Sequence, residues 1–235
     1  MPVFQLTNQI IFPHPDLAED NGLLAIGGDL SANRLLAGYR LGIFPWYSDD
    51  DPILWWFTSP RLVLFPEDLK VSRRLVRYMK NTTMTVTINT AFEEVITACA
   101  HSRKEQNEET WITAEMISAY TNLHHLGYAH SVECWDRGKL SGGLYGVALG
   151  KVFFGESMFA AIANSSKFAL IQLINFLKKN SYRLIDCQMK TAHLTSMGAR
   201  ELSGKEFQYL LNKHIQSIAP DGVWNHDTSN TLRNM

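Results

Sequence analysis

The residues of this chain best suited to chemistry are a carboxylate and an amide, Asp186 and Gln188, within the stretch Leu184-Ile-Asp-Cys-Gln188. Residues 182–185 have the composition of a buried strand, and side chains alternate between the two faces of a strand. Asp186 and Gln188 are therefore predicted to share one face, with Cys187 on the other. A carboxylate on a core strand is costly unless it lines a pocket or bonds a neighbouring loop, and both interpretations stay open.

Two tryptophans are candidates for binding a flat ring. Trp46 lies beside a proline in a predicted turn, and Trp111 lies between a charged loop and a predicted helix start. Neither position favours full burial. Each can stack on a nucleic-acid base or serve the core, and these residues alone do not decide between the two.

A basic stripe is predicted on one helix. Arg73, Arg77 and Lys80 are spaced i, i+4 and i+7, so they share a helix face, with Leu75, Val76 and Met79 on the other. Clustered cations without acids are typical of phosphate-backbone contacts. An ordinary solvated face is the alternative.

Composition limits the function classes. The 235 residues are 46% hydrophobic, enough for a sizeable core, and the net charge of −1 leaves nucleic-acid binding to a local patch. Three scattered cysteines predict neither a disulfide framework nor a metal site. No stretch has the length and apolarity of a membrane span or a secretory leader. We therefore expect a soluble, cytoplasmic protein that binds no metal and no membrane.

The elements that must position these residues predict an α/β fold. Residues 1–62 are predicted to form a small N-terminal domain, 63–218 a larger domain and 219–235 a polar tail, with the final helix placed against the N-terminal domain. Helix caps are predicted at Ser31, Ser72, Thr113 and Ser203. The order of the larger domain is strand, helix, helix, three strands, helix, strand, helix, and it resembles the GCN5-related N-acetyltransferases with their mixed central sheet.

Those acetyltransferases hold coenzyme A in a glycine-rich loop before a helix. The matching segment here, residues 155–166, has one glycine, no basic residue and an acid at Glu156. A pyrophosphate would meet few free backbone donors and a like charge there. The order of elements thus suggests acyl transfer, whereas this segment argues against coenzyme A as the donor.

Several unusual segments together resemble the bacterial leucyl/phenylalanyl-tRNA–protein transferases, from about residue 4 to about residue 215. They are Asn21-Gly-Leu-Leu-Ala-Ile-Gly-Gly-Asp-Leu-Ser31, Gly42-Ile-Phe-Pro-Trp46, Ile53-Leu-Trp-Trp56, Thr110-Trp-Ile-Thr113, Gly142-Gly-Leu-Tyr-Gly146, Phe154-Gly-Glu-Ser-Met-Phe159 and Leu184-Ile-Asp-Cys-Gln188. The resemblance implies a cytoplasmic enzyme of the N-end-rule degradation route. It would move leucine or phenylalanine, and methionine less well, from aminoacyl-tRNA to proteins that begin with arginine or lysine.

Under that proposal the donor ester is already activated, so no cofactor is expected. Asp186 would hold the incoming ammonium, and Gln188 would hydrogen-bond the amine or the tetrahedral centre. Glu156 would pair with the acceptor's basic side chain, unless it serves as a helix-terminal acid or a loop hydrogen-bond partner. Trp46 and Trp111 would stack on the terminal adenine, and the basic stripe would contact the tRNA backbone. The donor side-chain pocket is predicted to contain Leu144, Phe153, Leu170, Leu173, Leu177 and Ile185.

Three alternatives remain from the residues. One is a cysteine acyl-enzyme at Cys187, which the predicted strand alternation disfavours. Another is an aminoacyl-tRNA-dependent acyltransferase of the peptidoglycan-bridge type, against which the missing membrane-binding basic helix weighs. The third is a non-catalytic module that binds basic N-termini or tRNA ends.

Overall fold

The computed structural model describes residues 3–105, 110–216 and 222–224. A small N-terminal sheet has the order β1-β2-β4-β3, with β1 (Phe4–Leu6), β2 (Leu23–Gly27), β3 (Phe44–Pro45) and β4 (Leu54–Trp56). Helix α1 (Ala32–Arg40) packs against it, capped by Ser31, whose hydroxyl accepts from the Arg34 N–H. Trp55 is fully buried at the centre of this unit.

A seven-stranded sheet forms the larger unit, in the order β11-β5-β10-β9-β8-β7-β6. Its strands are β5 (Arg61–Leu64), β6 (Thr85–Ile88), β7 (Ala129–Asp136), β8 (Lys139–Leu149), β9 (Val152–Ala160), β10 (Leu184–Asp186) and β11 (Arg200–Leu202). In this sheet β9 and β10 run parallel, and the other neighbouring pairs of described strands run antiparallel. A parallel pair needs a crossover, which helix α5 (Ser165–Lys179) supplies. The predicted α/β fold with a mixed sheet is confirmed.

The remaining helices cover the sheet and its edges. They are α2 (Arg73–Asn81), α3 (Phe92–Glu105), α4 (Ala114–His125), α6 (Ala192–Ser196) and α7 (Gly204–Ile215). One apolar core joins α3 and α4 to the N-terminal unit, and a second lies under α5. The sheet therefore has a buried layer on each face. No helix among residues 3–105, 110–216 and 222–224 has the length and apolarity needed to cross a membrane.

The last helix, α7, packs on the N-terminal unit. Phe207 contacts Phe57 with ring centroids 6.2 Å apart, and the Gly204 N–H donates to Ser59 Oγ at 3.0 Å. Gly42, at φ 76°, lies so close that a Cβ there would come within 2.6 Å of the Phe207 ring. This packing brings α1, β5 and α7 together at the end of β10.

Two features differ from the sequence predictions. The segment beginning at Gly155 is not a loop, because β9 continues to Ala160 and pairs with residues 142–149 of β8. Of the predicted polar tail, most lies outside the described residues, but residues 222–224 are described, and Trp224 packs into the core under α5.

Candidate active site

A cavity of about 340 Å³ lies among β8, β9, β10 and α5. Five of the six residues predicted to form an apolar pocket line it. They are Leu144, Phe153, Leu170, Leu173 and Ile185. The sixth, Leu177, is fully buried in the core under α5 and is not among the lining residues. It lies one helical turn beyond Leu173, past the part of α5 that faces the cavity.

Both candidate tryptophans line the same cavity and are half-buried. The Trp46 ring contacts Trp56 at 5.8 Å between centroids, and its carbonyl accepts from Trp56 Nε1 at 2.7 Å. Trp111 approaches from the segment before α4. Flat aromatic surface is thus present at the apolar cavity.

The sequence suggests that Asp186 holds the incoming ammonium, but Asp186 is not among the residues that line the cavity. It is fully buried and forms a two-point ion pair with Arg61, with Nε to Oδ1 at 2.8 Å and Nη2 to Oδ2 at 2.6 Å. The register explains this partner, since Asp186 pairs with Val63 on β5 and Arg61 lies two residues away on the same face. Sequence reasoning missed Arg61.

Arg61 is itself enclosed. Its guanidinium lies 4.8 Å from the Phe44 ring and 4.7 Å from the Phe207 ring, and Nη2 also donates to the Gly42 carbonyl at 3.0 Å. Contacts of a guanidinium with aromatic faces stabilise its charge in a dry environment. The pair therefore joins β10 to the N-terminal unit and α7.

Gln188 lies just beyond the end of β10, in the left-handed region at φ 52°. Its N–H donates to Asp186 Oδ1 at 3.0 Å, and its carbonyl accepts from the Leu62 N–H at 3.1 Å. Strand alternation stops at this turn, so Ile185, Cys187 and Gln188 all line the cavity. The predicted opposition of Gln188 and Cys187 is wrong for this reason.

The Cys187 thiol is a poor nucleophile in this position. Burial raises its pKa far above the ordinary value, and the neighbouring Asp186 charge adds to the rise. Since the thiolate is the reactive form, the argument against an acyl-enzyme holds on electrostatic grounds instead of on strand alternation.

Glu156 lies on β9 and lines the cavity. It accepts hydrogen bonds from the hydroxyls of Tyr39 (2.7 Å to Oε1) and Tyr120 (3.2 Å to Oε2). Burial, with a smaller contribution from the charge of Asp186, raises the pKa of Glu156 to about 7, although the tyrosine hydrogen bonds and Arg61 act in the opposite direction. The carboxyl therefore changes its charge near neutral pH. Because Glu156 lies within β9, it is neither a helix-terminal acid nor a loop residue.

Sequence reasoning missed both tyrosines. Tyr39 on α1 and Tyr120 on α4 are both fully buried, and their hydroxyls contact each other. A buried tyrosine needs a hydrogen-bond partner for its hydroxyl. Tyrosines within apolar helix faces are therefore a sequence signal for a buried polar partner, which here is Glu156. His193 was also missed; it lines the cavity, and its buried Nε2 has no hydrogen-bond partner among the described residues.

The three residues of the basic stripe are exposed. Arg73, Arg77 and Lys80 project from α2, capped by Ser72, and none of its residues is buried. Val76, predicted on the inner face, is 40% exposed, so the helix packs loosely. The Tyr78 hydroxyl donates to the Ala163 carbonyl at 3.3 Å, which fixes α2 beside the start of α5.

Comparison with known proteins identifies close relatives. Residues 63–212 match the family model described as leucyl/phenylalanyl-tRNA protein transferase, and residues 28–59 match the model of its N-terminal domain. A leucyl/phenylalanyl-tRNA–protein transferase of Desulfotalea psychrophila is 57% identical over 95% of this chain and 99% of its own length. One of the same name from Syntrophobacter fumaroxidans is 54% identical, over 95% and 96%.

A more distant likeness exists among solved structures. The C-terminal domain of a putative lysylphosphatidylglycerol synthetase from Agrobacterium fabrum superposes with a TM-score of 0.42 and 12% identity. The match covers 79% of this chain and 56% of that one.

Proposed function

The chain belongs to the leucyl/phenylalanyl-tRNA–protein transferase family, and from that premise we propose which amino acids and acceptors it uses. It is an aminoacyltransferase. The proposed donors are leucyl- and phenylalanyl-tRNA, with methionyl-tRNA used less well. The proposed acceptors are cytoplasmic proteins that begin with arginine or lysine, which the transfer marks for N-end-rule degradation.

The observation that carries this proposal is the apolar cavity with Glu156 and Gln188 on its wall. Leu144, Phe153, Leu170, Leu173 and Ile185 offer a leucine or phenylalanine side chain an apolar surround with no charged group among them. Selection by shape alone contributes about 1–3 kcal/mol. Imperfect discrimination, with some use of methionine, therefore follows.

We assign Trp46 and Trp111 to the terminal adenine of the donor. Stacking on tryptophan is tolerant of sequence and contributes about 1–3 kcal/mol for each base. Both rings line the cavity that would hold the aminoacyl group, so adenine and donor side chain fit neighbouring places.

Glu156 is assigned to the acceptor's guanidinium or ammonium. In the free protein its carboxyl is fixed by Tyr39 and Tyr120, and an arriving cation would favour the ionised form. Because the carboxylate is largely desolvated, its attraction for a cation is stronger than on an open surface.

The proposed reaction is an aminolysis. The acceptor's α-amine nitrogen forms a bond to the ester carbonyl carbon, the bond from that carbon to the ribose oxygen breaks, the nitrogen gives up a proton and the ribose oxygen gains one. We assign the side-chain amide of Gln188, which lines the cavity, to donate to the developing oxyanion. Asp186 acts through the backbone of Gln188, as a positioning residue, and its neutralisation by Arg61 removes the direct contact with the ammonium that the sequence suggested.

We also propose that the chain divides near residue 62. The small sheet ends at Trp56 and the large one begins at Arg61. The N-terminal unit contributes Trp46 and Tyr39 to the site, and the larger unit contributes the other groups assigned above. The reaction as written requires no cofactor.

The test of the proposal is a transfer assay. The protein is incubated with a mixed pool of charged tRNAs and a peptide that begins with arginine, and the products are analysed by mass spectrometry. We expect addition of leucine or phenylalanine at the α-amine. The matched controls are the same peptide with an acetylated α-amine and one that begins with an acidic residue. Both of these arginyl peptides carry one internal lysine, and transfer to its side chain in the acetylated peptide would instead support the peptidoglycan-bridge type of acceptor.

The raised pKa of Glu156 predicts a pH dependence of acceptor binding. At about pH 6 only about a tenth of a carboxyl with a pKa of about 7 is ionised. We therefore expect the KM for an arginyl peptide to be about tenfold higher there than well above pH 7. In Glu156→Gln this step is absent and the KM stays high. If the KM of Glu156→Gln depended on pH in the same way as the KM of the unchanged protein, the assignment would be contradicted.

The basic stripe predicts a salt dependence. Changing Arg73, Arg77 and Lys80 to alanine removes three phosphate contacts, so the log–log slope of aminoacyl-tRNA affinity against salt should flatten by about two to three units. A minimal aminoacyl-adenosine donor, which has no tRNA phosphates, should bind almost as before. The control has the same charge change elsewhere, at the exposed Lys178, Lys179 and Lys205. Equal losses for both donors would show that α2 supports the fold.

A further inference from the structure

Trp224, close to the C-terminus, lies inside a cage of aromatic rings. Its ring stacks on His130 at 4.0 Å and 9° and contacts Phe176 at 4.7 Å, Phe153 at 5.9 Å and Tyr182 at 6.1 Å. These four residues come from β7, the end of α5, β9 and the segment before β10. A side chain distant in sequence therefore contacts β7, α5, β9 and the segment before β10 at once.

Hydrogen bonds at both ends fix the orientation of this ring. The indole Nε1 donates to the Tyr182 hydroxyl at 2.7 Å, and the Trp224 carbonyl accepts from Asn89 Nδ2 at 3.0 Å. A hydrogen-bonded N–H and a stacked face together favour one orientation of an indole ring. These contacts hold Trp224 against the rings that it touches.

One of those rings belongs to the cavity. Phe153 lines it and is 1% exposed, whereas Trp224 does not line it. Phe153 is constrained on a further side, because Gly146 lies so close that a Cβ there would come within 2.6 Å of the Phe153 ring. With Gly146 on that side and Trp224 on another, Phe153 has little room to move away from the cavity.

We infer that Trp224 is a positioning residue for donor specificity, which fixes Phe153 as a wall of the side-chain pocket and so limits the size of the amino acid that the enzyme accepts. This inference rests on the proposed function, because it takes the cavity to be the pocket of the donor side chain. Loss of the indole leaves space into which the Phe153 ring can rotate. The pocket then enlarges, which weakens its contacts with leucine and admits larger rings.

The experiment measures kcat/KM for leucyl-, phenylalanyl- and tryptophanyl-tRNA with a common arginyl peptide. Trp224→Ala should raise the phenylalanine-to-leucine ratio of kcat/KM about tenfold, within the range of about 10–200-fold for pocket shape changes, and should raise the tryptophan-to-leucine ratio more. Trp224→Phe is the more conservative change, because it keeps an aromatic ring. It should shift both ratios in the same direction as Trp224→Ala, but by a smaller factor. A ratio is independent of the fraction of protein that is folded.

The matched control is Trp135→Ala. Trp135 lies on β7, is half-buried, donates through Nε1 to Thr87 Oγ1 at 2.8 Å and does not line the cavity. It is expected to lower kcat/KM for all three donors in parallel or not at all. A parallel fall in both Trp224 variants would overturn the inference, because a merely structural role predicts that result.

A third variant tests the premise separately. Leu173→Phe places a ring in the cavity itself, and it should reduce use of phenylalanine more than use of leucine if the cavity holds the donor side chain. A shift of the ratio in Leu173→Phe with none in Trp224→Ala would overturn the inference and leave the proposed pocket intact. Unchanged ratios in Leu173→Phe would overturn the pocket and the inference together.

Discussion

Replacing Asp186 with alanine is expected to lower both stability and rate. The change leaves the Arg61 guanidinium buried without its partner, which typically destabilises a protein by about 3–5 kcal/mol. It also removes the acceptor of the Gln188 N–H, so the Gln188 turn is free to move. A misplacement of about 1 Å near the reacting atoms costs about 10²-fold in rate. Denaturant unfolding and single-turnover transfer measure the two effects.

A double variant separates these effects. Changing Arg61 and Asp186 together to leucine replaces a buried ion pair with apolar groups, which is often close to neutral for stability. We expect the free energy of unfolding to recover relative to Asp186→Ala, while the rate remains low because the Gln188 N–H still lacks its acceptor. Full activity of the double variant would show that Asp186 only stabilises the fold.

Replacing Gln188 with alanine is expected to lower kcat by about 10²–10³ without loss of stability. That range is the usual cost of removing one donor to a developing oxyanion. The backbone bonds of Gln188 to Asp186 and Leu62 remain in the variant, and a half-buried side chain contributes little to the fold. Single-turnover transfer from charged tRNA measures the rate, and thermal unfolding checks the fold.

Two neighbouring variants sharpen this prediction. Gln188→Glu keeps the size of the side chain but removes the N–H donor, so we expect a rate as low as that of Gln188→Ala. Cys187→Ser is expected to keep most of the activity, since a strongly raised pKa keeps the thiol protonated and therefore a poor nucleophile. A normal rate in both Gln188 variants would remove the assignment, and an inactive, folded Cys187→Ser would restore the acyl-enzyme.

The sequence by itself determined the local elements and the group of residues at the cavity. Helix starts at Ser31, Ser72, Thr113 and Ser203 are all confirmed, with the capping box of Ser203 and Glu206 fully formed. Both tryptophans, Glu156 and five pocket residues do line one cavity. Capping and side-chain alternation depend on residues within a few positions of each other, so they are visible in the sequence.

Tertiary structure alone decided the partners of the charged groups. Asp186 meets Arg61, 125 positions away, because β5 runs antiparallel to β10. The start of α3 is held by Glu133 on β7, which is fully buried and accepts from the Thr90 and Ala91 N–H groups at 3.4 Å each. No periodicity encodes which strands become neighbours or in what register.

The same limit explains the two errors that matter for function. Side-chain alternation predicts the faces of Asp186, Cys187 and Gln188 only as far as the strand continues, and β10 ends at Asp186. Gln188 adopts φ 52°, where its carbonyl accepts from the Leu62 N–H and its own N–H donates to the Asp186 carboxylate. The tail was judged by its polar composition, but the packing of the half-buried Trp224 depends on rings from β7, β9 and α5. Local composition predicts what a segment can do, and the sheet order decides what it meets.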